Sequence, residues 1–309
     1  MDKNFKNKSK YFYNKNNEIM YNIKMLLVAI AATFVFASCN EDEFENDENL
    51  NLKSTYENPF NYVGEIHNQK LDSIALFLGD NVNFGIGDIY DYNVYKGIID
   101  INEVKVSDYT NNIRDIQSLS YDFIYNDENA LNIYGTIVSN SMKEFRSFLL
   151  QAITSSTPVT PSDFNYYIHK IESDIMNSDY FQDSLYSNDI TVALSGLAIA
   201  KYSYEYWYNA YMNTQHPWHN IIHNRLNSLM TKADEPCGFW NKLANGLKYV
   251  AAVVVTAVAD VAGGISTIEV QEHNNNNTNE NFINLSIDID EFIDGAKDMS
   301  ATAWENIVE

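Results

Sequence analysis

From residue 58 onward, apolar side chains recur mostly at intervals of three and four, the spacing of amphipathic helices. Phe60, Val63, His67, Leu71, Ile74 and Leu78 form the first stripe. Asn58-Pro59 reads as its cap and first helical residue, and Gly79 as its stop. Residues 80–107 hold Gly85, Gly87 and Gly97 among Asn, Asp and Tyr, and read as a loop-rich stretch with short helical turns. A short helix over 109–124 can bury Ile113, Ile116, Leu119, Tyr121 and Phe123, and a longer one runs from about Asn129 to Ile153. Thr160-Pro161-Ser162-Asp163 opens the next with a cap, a proline at the first position and an acid in the first turn.

Asn188–Asn213 reads as the central helix. Ile190–Ala200 is apolar nearly all round, and the second half turns aromatic with Tyr202, Tyr204, Tyr206, Trp207, Tyr208 and Tyr211. Pro217 restarts a helix towards Met230, and Leu243–Ile268 follows. Residues 282–289 alternate like a strand, but nothing else in the chain offers them a sheet. The pattern predicts an all-α fold, an irregular multi-helix bundle around a central apolar helix. The expected organisation is a signal peptide over 1–38, a tether over 39–57, a helical domain over 58–272, an Asn-rich linker over 273–281 and a C-terminal segment over 282–309 packed on that domain.

The first 57 residues follow another logic. Lys24 precedes a 13-residue apolar run, Met25–Ala37, too short for a membrane span and suited to an export signal. Either Met1 or Met20 can serve as the start. The run ends at Phe36-Ala37-Ser38-Cys39, which resembles a bacterial lipobox, with Phe standing where Leu is usual; the resemblance implies lipid attachment at Cys39. Residues 40–49 carry six acids, a self-repelling tether on charge grounds alone. Together these features resemble surface-exposed lipoproteins of Bacteroidetes-type bacteria. That resemblance implies an outer-membrane location facing outwards, and Asn58–Ile74 is similar to the openings of uncharacterised lipoproteins of the same group. It implies no activity.

Charge and composition narrow the function. Removing the first 38 residues takes away 6 of 20 basic and 2 of 42 acidic side chains and leaves a formal charge of −26, which repels phosphate backbones and excludes nucleic acid as a partner. Hydrophobic residues at 45%, with 14% aromatics, suffice for a core. Two cysteines make neither a disulfide framework nor a Cys-based zinc site.

Three places invite chemistry. Glu65 and His67 stand two apart, roughly 200° around a helix, so they face away from each other. His67 lies on the apolar stripe with Gly64 one turn before it, which suggests a buried histidine hydrogen-bonded at a close helix contact. His216, His219 and His223 are the only histidine cluster. His219 and His223 at i and i+4 can share a zinc ion with His216 as third ligand, but Asn220 stands where zinc proteases carry their general base. The tyrosine-rich half of the central helix can stack on a glycan or anchor a protein ligand, or fill a core with each hydroxyl paired. Finally, Leu247–Ile268 carries small residues every fourth position (Ala252, Thr256, Asp260, Gly264), a face for close packing in a bundle or a membrane. The expectation is a non-enzymatic, lipid-anchored binding or envelope protein. The alternatives are a metal-dependent hydrolase using the histidines and a membrane-acting, toxin-like protein using 247–268.

Overall fold

The computed structural model describes residues 57–79, 81, 83–127, 136–154, 159–182, 187–224, 256–274 and 281–306. Its helices are α1 (Asn61–Leu78), α2 (Ile86–Tyr95), α3 (Val106–Tyr125), α4 (Thr136–Thr154), α5 (Pro161–Met176), α6 (Ser187–Met212), α7 (219–224), α8 (256–265) and α9 (Ile289–Asn306), with one 3₁₀ turn at Asp179–Gln182. Two strands, β1 (Glu269–Asn274) and β2 (Asn281–Ser286), make an antiparallel hairpin in which Glu269 pairs with Ser286 and Asn274 with Asn281. The fold is all-α, with this hairpin its one sheet among the described residues.

Helix α6 is the axis. Every residue from Val192 to Ala200 is buried, and α1, α4 and α5 pack around it. Helix α1 lies between α6 and α9, and α9 in turn covers α2 and α3. Two helix crossings depend on glycine because the backbones touch. A Cβ on Gly64 would sit 2.7 Å from the Ala198 carbonyl oxygen and from the Tyr202 ring. Where α8 crosses α9, Gly263 and Gly295 face each other so closely that a Cβ on either would overlap the other's carbonyl.

Local chemistry accounts for the element ends. Thr160 caps α5 as its sequence suggests: its Oγ1 accepts from the Asp163 N–H at 3.2 Å, and Asp163 Oδ2 accepts from the Thr160 N–H at 3.0 Å. Gly79 ends α1 at φ 56, donating its N–H to Ala75. The start of α4 is closed from a distance. Asp189 of α6 accepts the Ile137 and Val138 N–H groups, each at 3.0 Å, and satisfies two of the free donors at that helix start.

The structure corrects three expectations. Asn58 does not cap α1. Its Oδ1 accepts from the Phe60 N–H at 2.8 Å in a turn before the helix, while its Nδ2 reaches Glu172 and Leu194, so α1 begins at Asn61. The stretch expected to be loop contains a ten-residue helix, α2, opened by Asp88 Oδ2 accepting the Gly85 N–H at 2.7 Å and buried through Ile86, Ile89, Tyr90, Tyr92 and Asn93. The strand-like stretch after 281 does find a sheet, because residues 269–274 after α8 run extended and pair with it. The residues around Cys39, the acidic run and residues 247–255 lie outside the described residues.

Candidate functional site

His67 is fully buried where α1, α6, α8 and α9 meet. Asn68 fixes its ring: the Asn68 amide donates to the Tyr202 carbonyl at 3.1 Å, which turns Asn68 Oδ1 to His67 Nδ1 at 3.0 Å. The other nitrogen, Nε2, faces Asp260 Oδ2 at 3.7 Å. That oxygen accepts from the hydroxyls of Ser203 and Ser300, the latter at 3.0 Å, and Ser300 accepts from the Trp207 indole N–H at 2.9 Å. Asp260 is itself 0% exposed, and among the described residues neither its Oδ1 nor His67 Nε2 has a hydrogen-bond partner. Burial drives the His67 pKa down to about 4, against the hydrogen bond to Asn68 and the nearby Ala296 carbonyl. Burial also raises the Asp260 carboxyl well above its ordinary range, although Ser203 and Ser300 favour its ionised form. Gly64 permits the close approach of α1 to α6 one turn before His67. Glu65 is exposed and accepts from Tyr202 Oη at 3.3 Å, on the other side of the helix from His67.

A second buried cluster was not legible in the sequence. The Lys297 ammonium, 0% exposed, donates to Asp298 Oδ1 at 2.6 Å and Asn93 Oδ1 at 2.9 Å, and lies 3.3 Å from Asp294. Asn93 Nδ2 donates in turn to Asp298 Oδ2 at 2.8 Å. Burial works to lower the Lys297 pKa, but the charges of Asp298 and Asp294 outweigh it and hold the ammonium above its usual value. A third network joins Asn58, Glu172 and Lys201. Glu172 is fully buried and takes Lys201 Nζ at 3.1 Å, and Lys201 donates to Asn61 at 2.7 Å.

The histidine cluster is brought together as rings. His219 and His223 lie 4.1 Å apart between centroids, and Tyr211 stacks on His223 at 4.7 Å. One nitrogen of each faces a backbone carbonyl, His219 Nδ1 that of Ala210 and His223 Nε2 that of Tyr211, both at 3.1 Å. His216 turns away to pack edge-on against Tyr206 and accepts the Trp218 N–H at Nδ1. Among the described residues no three His, Cys, Asp or Glu side chains gather in a way that could hold a metal ion.

The tyrosine-rich half of α6 faces mostly inwards. Tyr204 and Trp207 are fully buried; Tyr204 Oη donates to the Val159 carbonyl at 2.9 Å and Tyr206 Oη to Asp72 at 2.6 Å. Residues 256–265 are likewise all buried, and among the described residues no helix is long and apolar enough to cross a membrane.

The exposed apolar side chains lie elsewhere. Of the eleven large ones among the described residues, seven fall between residues 76 and 106: Leu76, Phe77, Tyr95, Ile98, Ile101, Val104 and Val106. They occupy the ends of α1 and α2, the α2–α3 loop and the first residue of α3. Phe77 and Tyr95 touch with ring centroids 5.6 Å apart, and Lys96 Nζ lies 5.8 Å from the Tyr95 ring. The loop is held in place, since the buried Tyr90 donates to the Val104 carbonyl at 2.7 Å and the Ile98 N–H to the Asn93 carbonyl at 2.9 Å. This corner is rigid, aromatic and aliphatic, and accessible, a combination that suits binding more than chemistry. Comparison with known proteins adds no relative: no family model, no curated protein and no solved structure matches the chain.

Proposed function

We propose that this chain is an exported lipoprotein, attached through Cys39 to the outer membrane and facing outwards, whose helical domain binds a partner without catalysis. The observation that carries the binding reading is the separation of side chains: buried polar groups serve the inside of the bundle, while exposed apolar ones concentrate at residues 76–106. Exposed apolar patches on soluble domains mark contact surfaces, and aromatic residues on a fixed backbone lose little entropy on binding. Charge around the patch selects the partner. Exposed Asp91, Asp100, Glu103 and Asp108 outnumber exposed Lys96 and Lys105, which favours a protein segment with basic groups beside apolar ones over an anionic polymer.

The anchor and the surface are tested separately. Cys39→Ala should abolish incorporation of labelled fatty acid and release the protein from membranes, because stable anchoring requires two or more acyl chains acting together; a variant that stays labelled and membrane-bound removes the lipoprotein reading. For the surface, wild type and Tyr95→Ser/Ile101→Asp are screened against an array of purified cell-surface proteins and an array of neutral glycans. Binding of a protein by wild type alone supports the proposal. A glycan hit lost in the variant changes the partner class, and a ligand bound equally by both moves the site off this corner.

A further inference from the structure

The bundle contains one acid–base pair that the proposed binding surface does not use, and its geometry is incomplete in a specific way. His67 Nε2 and Asp260 Oδ1 are both fully buried and, among the described residues, both without a hydrogen-bond partner. Ser203 and Ser300 point their hydroxyl protons at Asp260 Oδ2, and Ser300 is held in that sense by Trp207. Asn68 Oδ1 accepts a hydrogen bond from the Nδ1–H of His67. Among the described residues, the charged groups facing the pair come from α1 and α9. Lys297 is matched by Asp298 and Asp294, and Lys70 by Asp294 at 2.8 Å; Lys297 and Lys70 both oppose a positive ring. Helix α6 contributes Ser203, Trp207 and the Tyr202 carbonyl, and α8 contributes no charged group but Asp260 itself.

An ionised Asp260 beside a neutral His67 would leave a carboxylate with two hydroxyl donors on one oxygen and, among the described residues, no cation in contact, inside four helices. One added proton neutralises the carboxyl, or turns the ring into its counter-ion. We propose that His67 and Asp260 jointly retain one proton at neutral pH and above, as an uncharged buried pair that ties α1, α6, α8 and α9 together and makes the bundle most stable in mildly acidic to neutral surroundings. The titration belongs to the pair, whichever atom carries the proton.

The sign follows from counting protons. Unfolded Asp and His have pKa values of about 3.9 and 6.5. Between those values the unfolded pair also holds one proton, so folding takes up none and this pair contributes no slope. Above about 6.5 the unfolded pair is empty while the folded pair keeps its proton. Stability then falls as pH rises, by up to about tenfold in the folding constant per pH unit. Below about 4 the folded and the unfolded pair both take up a second proton, so this pair adds little slope there. The single-group directions agree. The raised Asp260 loses its contribution as pH rises, the depressed His67 loses its contribution as pH falls from about 6.5 to about 4, and between the unfolded values the two opposite slopes cancel.

The test uses the full chain and Asp260→Asn, which keeps the shape of the acid but cannot titrate. Urea unfolding from pH 5 to pH 9 should give a wild-type folding constant that falls more steeply above pH 6.5 than that of the variant, the difference approaching tenfold per pH unit. Parallel curves would overturn the proposal. A second reading on wild type alone guards against a variant that does not fold. At pH 8, either the infrared C=O stretch of a protonated carboxylic acid or the ¹⁵N signature of a doubly protonated imidazole at His67 must be present. A neutral imidazole together with an ionised Asp260 at that pH would mean that the proton is absent and the proposal wrong.

Discussion

Around Lys297, acceptors from α2 and α9 close on one ammonium until each of its three protons has a place to go. Around Asp260, two hydroxyls close on one carboxylate oxygen, with the His67 Nε2 3.7 Å from that same oxygen, and among the described residues nothing bonds the other oxygen or that nitrogen. Both clusters are buried, and both bridge α9 to its neighbours. The first balances a fixed charge with fixed charges, so its geometry is complete whatever the pH near neutrality. The second is complete only when a proton from solvent is counted among its parts. A buried cluster assembled from opposite charges confers geometric specificity, whereas one assembled from like needs for a proton confers pH dependence.

The contrast is broken most strongly at Lys297. Lys297→Met strips the cation from Asp298 and Asp294, and removing one partner of a buried pair costs about 3–5 kcal/mol. Urea unfolding at pH 7 should show it, and Lys297→Met/Asp298→Leu should recover more than half of the loss. At the second cluster, Asp260→Ala strands the Ser203 and Ser300 hydroxyls without their acceptor, for which ~2–3 kcal/mol is expected. Asp260→Asn keeps the shape and should stay within about 1 kcal/mol of wild type at pH 7. If Asn proves as harmful as Ala, the carboxylate is ionised in the fold and the two clusters are alike. A local reference away from both is Thr160→Ala, which removes one helix cap and should cost ~1 kcal/mol with no pH dependence between 6 and 9. The smallest effect belongs to Tyr95→Ser on the exposed corner: thermal unfolding should shift by the equivalent of less than about 0.5 kcal/mol, because the ring is 72% exposed.

The helical pattern was readable wherever one stripe of apolar residues repeated through a single segment, as in α1, α5 and α6. It failed at α2, where Gly85 and Gly87 beside Asn and Asp looked like loop; the buried face there includes Asn93 and two tyrosines, which do not register as a hydrophobic stripe. The hairpin was missed because its first strand, Glu269–Asn274, is polar and follows directly on an apolar helix. His67 was legible as a buried histidine from its place on the stripe. Asp260 was legible as a polar residue on a small-residue face. That the two meet was not legible, because 193 positions separate them and only the packing of α8 on α6 and α9 brings them together. Lys297 carries no motif of its own, and its burial shows only in its neighbours. The small and apolar residues around it, Ala296, Met299, Ser300, Ala301 and Ala303, leave α9 no solvent face from 296 to 303.

Asn58 has a mechanical consequence. It is fastened to α5 through Glu172 at 2.7 Å and to α6 through the Leu194 carbonyl at 2.9 Å, and its own Oδ1 clasps the turn that starts α1. Tension applied from the N-terminal side of residue 57 therefore reaches the axis of the bundle at once. It meets bonds to α5, to α6 and to the turn before α1 at a single residue, so these are loaded together. Asn58→Ala would turn this joint into a peeling point and lower the force at which the domain opens under a pull from its N-terminus.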